Sequence, residues 1–103
     1  MTSEEIIQER SDGRCEIPNC TLKDFRGLQY AHLSHKKMGG RGSSAARIIN
    51  DPRNLSYLCA VHHDILDGRN YQPNLREELM SYLKEKLNWD SWYNEARQGG
   101  INV

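Results

Sequence analysis

Three cysteines and a pair of adjacent histidines carry most of the chemistry this chain can offer. The run Leu58-Cys59-Ala60-Val61-His62-His63-Asp64-Ile65-Leu66-Asp67 holds a thiol, two neighbouring imidazoles and carboxylates, and Cys15 and Cys20 supply two more thiols upstream. Cys59 and His62 are separated by two residues, the spacing of one half of a zinc knuckle, and the gap between Cys15 and Cys20 is the widest that arrangement takes. Cys15, Cys20, Cys59 and His62 are therefore expected to hold a structural Zn2+ tetrahedrally and to pin an N-terminal loop to the start of a later helix. The competing reading is three cysteines scattered through an apolar core. The polar neighbours Arg14, Glu16 and Asn19 fit that reading poorly.

His63 and Asp67 lie four apart, which places both on one face of a helix. An imidazole and a carboxylate so placed can hold a divalent cation, although the same spacing also occurs in solvated surface pairs. Neighbouring helical residues diverge by about 100°, so His62 and His63 are expected to serve two different centres. His32 and His35 form the other imidazole pair, at the end of a predicted strand and facing a glycine-rich loop. An imidazole titrates near neutrality and can take a proton from water. A cation held by His63 and Asp67 can stabilise charge growing on a phosphate. The Gly39-Gly40 turn lets backbone approach that phosphate, and Lys36, Lys37 and Arg41 can grip its neighbours. The plainer readings are a solvated charge run for Lys36 and Lys37 and a structural hydrogen bond for His35.

Size and composition bound what surrounds this chemistry. The chain has 103 residues, the size of one domain. Only 37% of them are apolar, so the core is modest and a bound metal would be a useful staple. Three cysteines cannot all pair within the chain, and reduced, metal-binding thiols fit better than a disulfide framework. The longest apolar runs are a few residues, too short for a membrane span. The absence of an apolar leader gives the expectation of a cytoplasmic protein. Net charge is zero, which counts against a nucleic-acid binder as a whole. The distribution softens the objection: Lys23 to Arg53 carries seven Lys or Arg against two acids, enough for one positive face.

The elements that must position these residues can be read from caps and periodicity. Thr2 with Glu5 forms a capping box, and a helix is expected from about Ser3 to Glu9 or Arg10, with Ile6 and Ile7 inward and Asp12-Gly13 ending it. Cys15 to Cys20 is a tight loop with a turn at Pro18-Asn19. Leu28 to Leu33 and Leu55 to Leu58 read as short strands. Between them Met38 to Ser44 is a glycine-rich loop, and Asp51-Pro52 is a turn. A helix begins near Ala60 and ends before Gly68. Pro73 suits a helix start, and Leu75, Leu79, Tyr82, Leu83 and Leu87 recur at helical spacing. Trp89, Trp92, Tyr93 and Ala96 make a second, shorter stripe, read as core packing, with a base-stacking platform as the alternative.

Taken together these residues resemble the HNH nuclease family, a branch of the His-Me finger superfamily. The likeness rests on Cys15…Cys20, Ala31-His32-Leu33, Met38-Gly39-Gly40, Asp51-Pro52-Arg53-Asn54-Leu55 and Leu58-Cys59-Ala60-Val61-His62-His63, and covers about residues 13–70. It implies an α+β fold: a small ββα-metal (His-Me finger) domain, zinc-stabilised, with an N-terminal helix and a C-terminal helical extension over about 73–98. It implies a DNA endonuclease in which His32 is the general base. Asn54 steadies the loop or joins the metal shell, and His63 is a ligand of the catalytic metal, with Asp67 standing where relatives carry another ligand. That metal would be Mg2+, Mn2+, Ni2+ or Zn2+, and hydrolysis would leave 5′-phosphate and 3′-hydroxyl ends. Two departures stand out. His62 replaces a fourth zinc cysteine, a mild change. Ala31 replaces an acid or histidine that often binds the catalytic metal, so His35 is a candidate for the missing ligand or for an exchange of roles with His32. A phage, a restriction system or a mobile element would each use such a domain. The alternative is a non-catalytic, zinc-stabilised module that binds nucleic acid. A third reading is an interaction domain that forms a homodimer or binds a partner protein through its C-terminal helices.

Overall fold

A computed structural model of the chain describes residues 2–21, 26–34 and 48–98. Its first helix, α1 (Ser3–Ser11), starts because the Thr2 hydroxyl accepts the amide of Glu5 at 3.1 Å, satisfying a donor that the first turn leaves unpaired. It stops where Asp12 and Gly13 turn to positive φ. Ile7 is fully buried, whereas Ile6 is 37% exposed, which corrects the expectation that both point inward. The buried face runs through Ile7 and Ser11, four apart, and the residue beside Ile7 is rotated about 100° away from it.

Two strands follow, β1 (Leu28–His32) and β2 (Leu55–Cys59). They pair antiparallel in the register Leu28↔Cys59, Gln29↔Leu58, Tyr30↔Tyr57, Ala31↔Ser56 and His32↔Leu55. Alternation along the strands gives the sheet two different faces. Ala31 and Leu58, with Leu33 beyond the strand, join Ile65, Leu66, Leu79, Leu83 and Leu87 in the main core. On the other face the Tyr30 and Tyr57 rings meet at 5.0 Å, and Gln8 of α1 donates to the Tyr30 hydroxyl at 2.9 Å.

Helix α2 (Ala60–Leu66) begins directly where β2 ends, with Cys59 serving as both last strand residue and helix cap. Helix α3 (Pro73–Leu87) opens on proline, whose missing N–H costs nothing in a first turn. It buries Leu79, Leu83 and Leu87 against α2 and the sheet. Tyr82, expected in that stripe, is 37% exposed and lies 5.9 Å from the Lys86 ammonium; its position is turned off the 79–83–87 line. Asn88 adopts the left-handed conformation and its amide closes α3. Helix α4 (Trp89–Gln98) then packs back, and Trp92, 1% exposed, forms a satellite core with Ala96, Ile48 and Ile49. Trp92 is thus core, as the packing reading of the aromatic stripe expected. The described residues form a small α+β structure of one two-stranded antiparallel sheet and four helices. No helix among them is long and apolar enough to cross a membrane.

Candidate metal centre

The loop that carries Cys15 and Cys20 is fixed by Glu16, one of the four residues between them. The Glu16 amide donates to the Tyr57 carbonyl at 2.8 Å, and the Glu16 carboxylate accepts the Tyr57 amide at 2.8 Å. One residue thereby takes up the backbone polar groups that β2 presents away from β1. The buried carboxylate is balanced by Arg10, whose Nη2 and Nε donate to it at 2.6 and 2.9 Å, and by Lys86 at 3.5 Å. Arg10 also donates to the carbonyls of Pro52 and Leu55, both at 2.8 Å. Helix α1, the cysteine loop, β2 and α3 therefore meet at one ion cluster. Asn19 at the turn has a φ of 58°, and the Cys20 amide returns to the Ile17 carbonyl, which brings the second thiol back toward the first.

Cys15, Cys20, Cys59 and His62 come together, with all four ligand atoms within 4.8 Å of one another. His62 Nδ1 stands 3.5 Å from Cys15 Sγ, 3.5 Å from Cys20 Sγ and 3.2 Å from Cys59 Sγ, and Cys20 Sγ lies 3.9 Å from Cys59 Sγ. A tetrahedron built on ordinary Zn–S and Zn–N bonds has S···S edges of about 3.8 Å and S···N edges of about 3.6 Å. The residues present therefore fit a single tetrahedral ion such as zinc. The three cysteines are unpaired thiols. Burial pushes the Cys15 thiol up to about 12 and raises that of Cys59, while it lowers His62 and so keeps that ring in the neutral, ligating form. This is the sole group of three or more Cys, His, Asp or Glu side chains poised for a metal among the described residues.

His63 turns the other way. Its Nδ1 lies 2.7 Å from Gln29 Oε1 and its Nε2 lies 3.0 Å from Asp67 Oδ2. Asp67 Oδ2 also accepts from Arg69 at 2.8 Å, and Asp64, next to His63 on α2, pairs with Arg26 at 2.8 Å. The Arg26 guanidinium holds the Asp64 carboxyl below its ordinary value. His32, the last residue of β1, has Nε2 2.7 Å from Asn50 Oδ1. Gln29 and His32 are an odd number of residues apart and leave the strand on opposite faces, so a ligand touching both sides must cross the end of β1.

Asn54 is fully buried and all four of its side-chain hydrogen-bonding positions are used within the protein. Its Oδ1 accepts from the Ser34 amide at 2.9 Å and from Trp89 Nε1 at 3.0 Å, and its Nδ2 donates to the carbonyls of Ser34 and Ile49. That geometry steadies the segments flanking β1 and β2. His35, Lys36, Lys37 and Arg41, with the Gly39-Gly40 turn, lie outside the described residues. The structure adds Gln29, Glu16 and Asn50, which sequence reasoning missed. The one available signal was Glu16, an acid placed between two candidate ligand thiols. Comparison of the chain with protein-family models, curated proteins and solved structures finds no match.

Proposed function

We propose that this chain is a metal-dependent endonuclease of the His-Me finger type, acting on DNA, with a zinc-held architecture and a separate catalytic cation. The observation that carries the reading is the parting of the histidine doublet: His62 faces the three thiols, while His63 faces β1 and Asp67. In this reading β1, β2 and α2 are the ββα core, and α3 and α4 buttress it. His32 acts as general base. Its Nε2 lies 2.7 Å from Asn50 Oδ1, a contact that orients the ring for taking a proton from water. The catalytic cation, when bound near His63, supplies charge to the scissile phosphate and the departing 3′ oxygen. Asn54 ties the backbone just after His32, at Ser34, to the segment that carries Asn50, at Ile49, so that the base and its partner share one frame. The basic stretch from Lys23 to Arg53 is the DNA-facing part of the chain, and the setting is cytoplasmic.

One observation favours the second reading, a non-catalytic zinc module that binds nucleic acid. Ala31 is fully buried in the main core and offers no donor atom where a catalytic cation would gain a ligand from β1. Supercoiled plasmid incubated with the zinc-loaded protein and Mg2+ or Mn2+ separates the two. Nicks that EDTA abolishes and that His32→Ala removes support the nuclease. Retarded but intact plasmid across all metals supports the binding module.

A further inference from the structure

Helix α4 carries Trp89, Tyr93 and Arg97 at a spacing of four, which sets them on one line of its surface. The Trp89 and Tyr93 rings stack with centroids 4.8 Å apart and 19° between their planes. The Lys84 ammonium, from α3, stands 4.3 Å from the Trp89 ring, and the Arg97 guanidinium stands 5.5 Å from the Tyr93 ring. Trp89 and Arg97 approach Tyr93 from opposite turns of the helix, so a ladder runs Lys84, Trp89, Tyr93, Arg97. Both rings are half-buried and Arg97 is exposed. Trp89 is anchored by its indole N–H on Asn54 Oδ1 at 3.0 Å, and Tyr93 packs on the satellite core. The rings are thus held in place before any ligand arrives. The two cations also differ from others in the chain. Arg10, Arg26, Arg53 and Arg69 each pair with a carboxylate, whereas among the described residues Lys84 and Arg97 pair with none. Glu95, the acid between Tyr93 and Arg97, is turned onto Arg53.

We propose that this ladder binds an unpaired stretch of DNA strand, with a base on the outer face of Tyr93 and the flanking phosphates on Arg97 and Lys84. Stacked rings bracketed by uncompensated cations match a polymer in which flat π-faces alternate with negative charge. A base stacked on a ring contributes about two to three times what a cation over an exposed ring does. A base therefore displaces the Arg97 guanidinium, which meets the adjoining phosphate with a planar fork of donors. The ladder adjoins the segment that leads into β2. Trp89 holds Asn54 there, Trp92 donates to the Ile48 carbonyl at 2.7 Å, and Asn50 of the same segment meets His32. The proposal deepens the nuclease reading and rests on it in placing the scissile phosphate beside His32. It adds that the strand is single where it crosses α4.

The test is fluorescence anisotropy of the full zinc-loaded chain with a labelled oligodeoxythymidine and with a labelled duplex, without Mg2+ or Mn2+ and over a range of salt. Variants are compared at equal zinc content. Tyr93→Ala should weaken strand binding by about tenfold or more and duplex binding by less than about twofold, while Tyr93→Phe stays within about twofold of the parent. Lys84→Ala and Arg97→Ala should each weaken strand binding and lower its salt slope by about 0.7. Tyr93→Leu keeps apolar packing on the satellite core, should behave as Tyr93→Ala does, and decides the matter should Tyr93→Ala fail to fold. The proposal is overturned if the parent does not bind the strand, or if removing the Tyr93 ring leaves strand binding unchanged or weakens strand and duplex alike. Unchanged salt slopes in both Lys84→Ala and Arg97→Ala overturn the phosphate assignment. Plasmid nicking fails separately. Tyr93-dependent strand binding with intact plasmid keeps the ladder and removes the nuclease, whereas metal-dependent nicking with strand binding indifferent to Tyr93 does the reverse.

Discussion

Cys59 Sγ accepts the backbone amide of His62 at 3.4 Å and stands 3.2 Å from Nδ1 of the same residue. One sulfur therefore caps α2 and forms a corner of the candidate metal centre. Capping and ligation are separable by substitution, because a serine hydroxyl caps helices well but is not a zinc ligand of this kind. Cys59→Ser should keep the cap and lose the metal, while Cys59→Ala should lose both. Both variants are expected to lack stoichiometric zinc and to unfold well below the zinc-loaded parent's melting temperature, Cys59→Ala lower than Cys59→Ser, because metal binding supplies folding energy in a chain this small. Zinc content and circular dichroism on the same preparation check this, and a folded Cys59→Ser protein with one zinc would contradict it.

Zinc uptake should release protons. In the metal-free fold burial raises the Cys15 thiol from 9.0 to about 12 and raises Cys59 as well, so both are protonated at neutral pH and must ionise to bind metal. The raised thiols stabilise the metal-free fold fully below pH 9.0, and that contribution is lost as pH climbs toward about 12. Zinc affinity runs the opposite way and falls as the solution is acidified. Titration calorimetry in buffers of different ionisation enthalpy should find the Cys15 and Cys59 protons released near neutrality. Zinc uptake with no proton release would show that the thiols are already ionised.

Glu16 should matter for stability out of proportion to its place in a loop. Glu16→Ala leaves Arg10 and the Tyr57 amide without their carboxylate, and a loss of about 3 kcal/mol is expected, from breaking a buried ion pair and discounting for the partial exposure of Arg10. Glu16→Gln should lose less, since its amide oxygen can still accept from Tyr57. Urea unfolding of the zinc-loaded proteins measures both. Equal stability of Glu16→Ala and the parent would show that the cluster contributes nothing net.

His32→Ala should reduce plasmid cleavage by about 100-fold or more while leaving zinc content and melting temperature unchanged. Asn50→Ala should lower the rate less, because it removes only the partner that orients the ring. Cleavage by His32→Ala at the parental rate would remove the base assigned here.

Much of the scaffold was legible in the amino-acid sequence, for local reasons. The Thr2 cap, the proline opening of α3 and the stripe Leu79, Leu83, Leu87 depend on residues within one or two turns of each other. The Cys3His cluster was legible because ligand spacing is itself a short-range code, although two of its members come from a loop far upstream. What escaped reading was long-range pairing. Gln29 finds His63 only through the β1–β2 register and the docking of α2, and Asn50 finds His32 across the connection between strands. Glu16 is buried only because Arg10 and Lys86, on two different helices, converge on it. The inward placement of Ile6 failed for a smaller reason: two adjacent isoleucines cannot share one helical face, and only packing chooses between them.

Both tryptophans of the chain donate their indole N–H to the segment that leads into β2: Trp89 to Asn54 Oδ1 and Trp92 to the Ile48 carbonyl. Intrinsic fluorescence is consequently a built-in optical gauge of that segment, needing no label. Displacing it would wet the rings and shift emission to longer wavelength, so a ligand arriving beside His32 should be visible as a change of colour in the ultraviolet before any bond is cut.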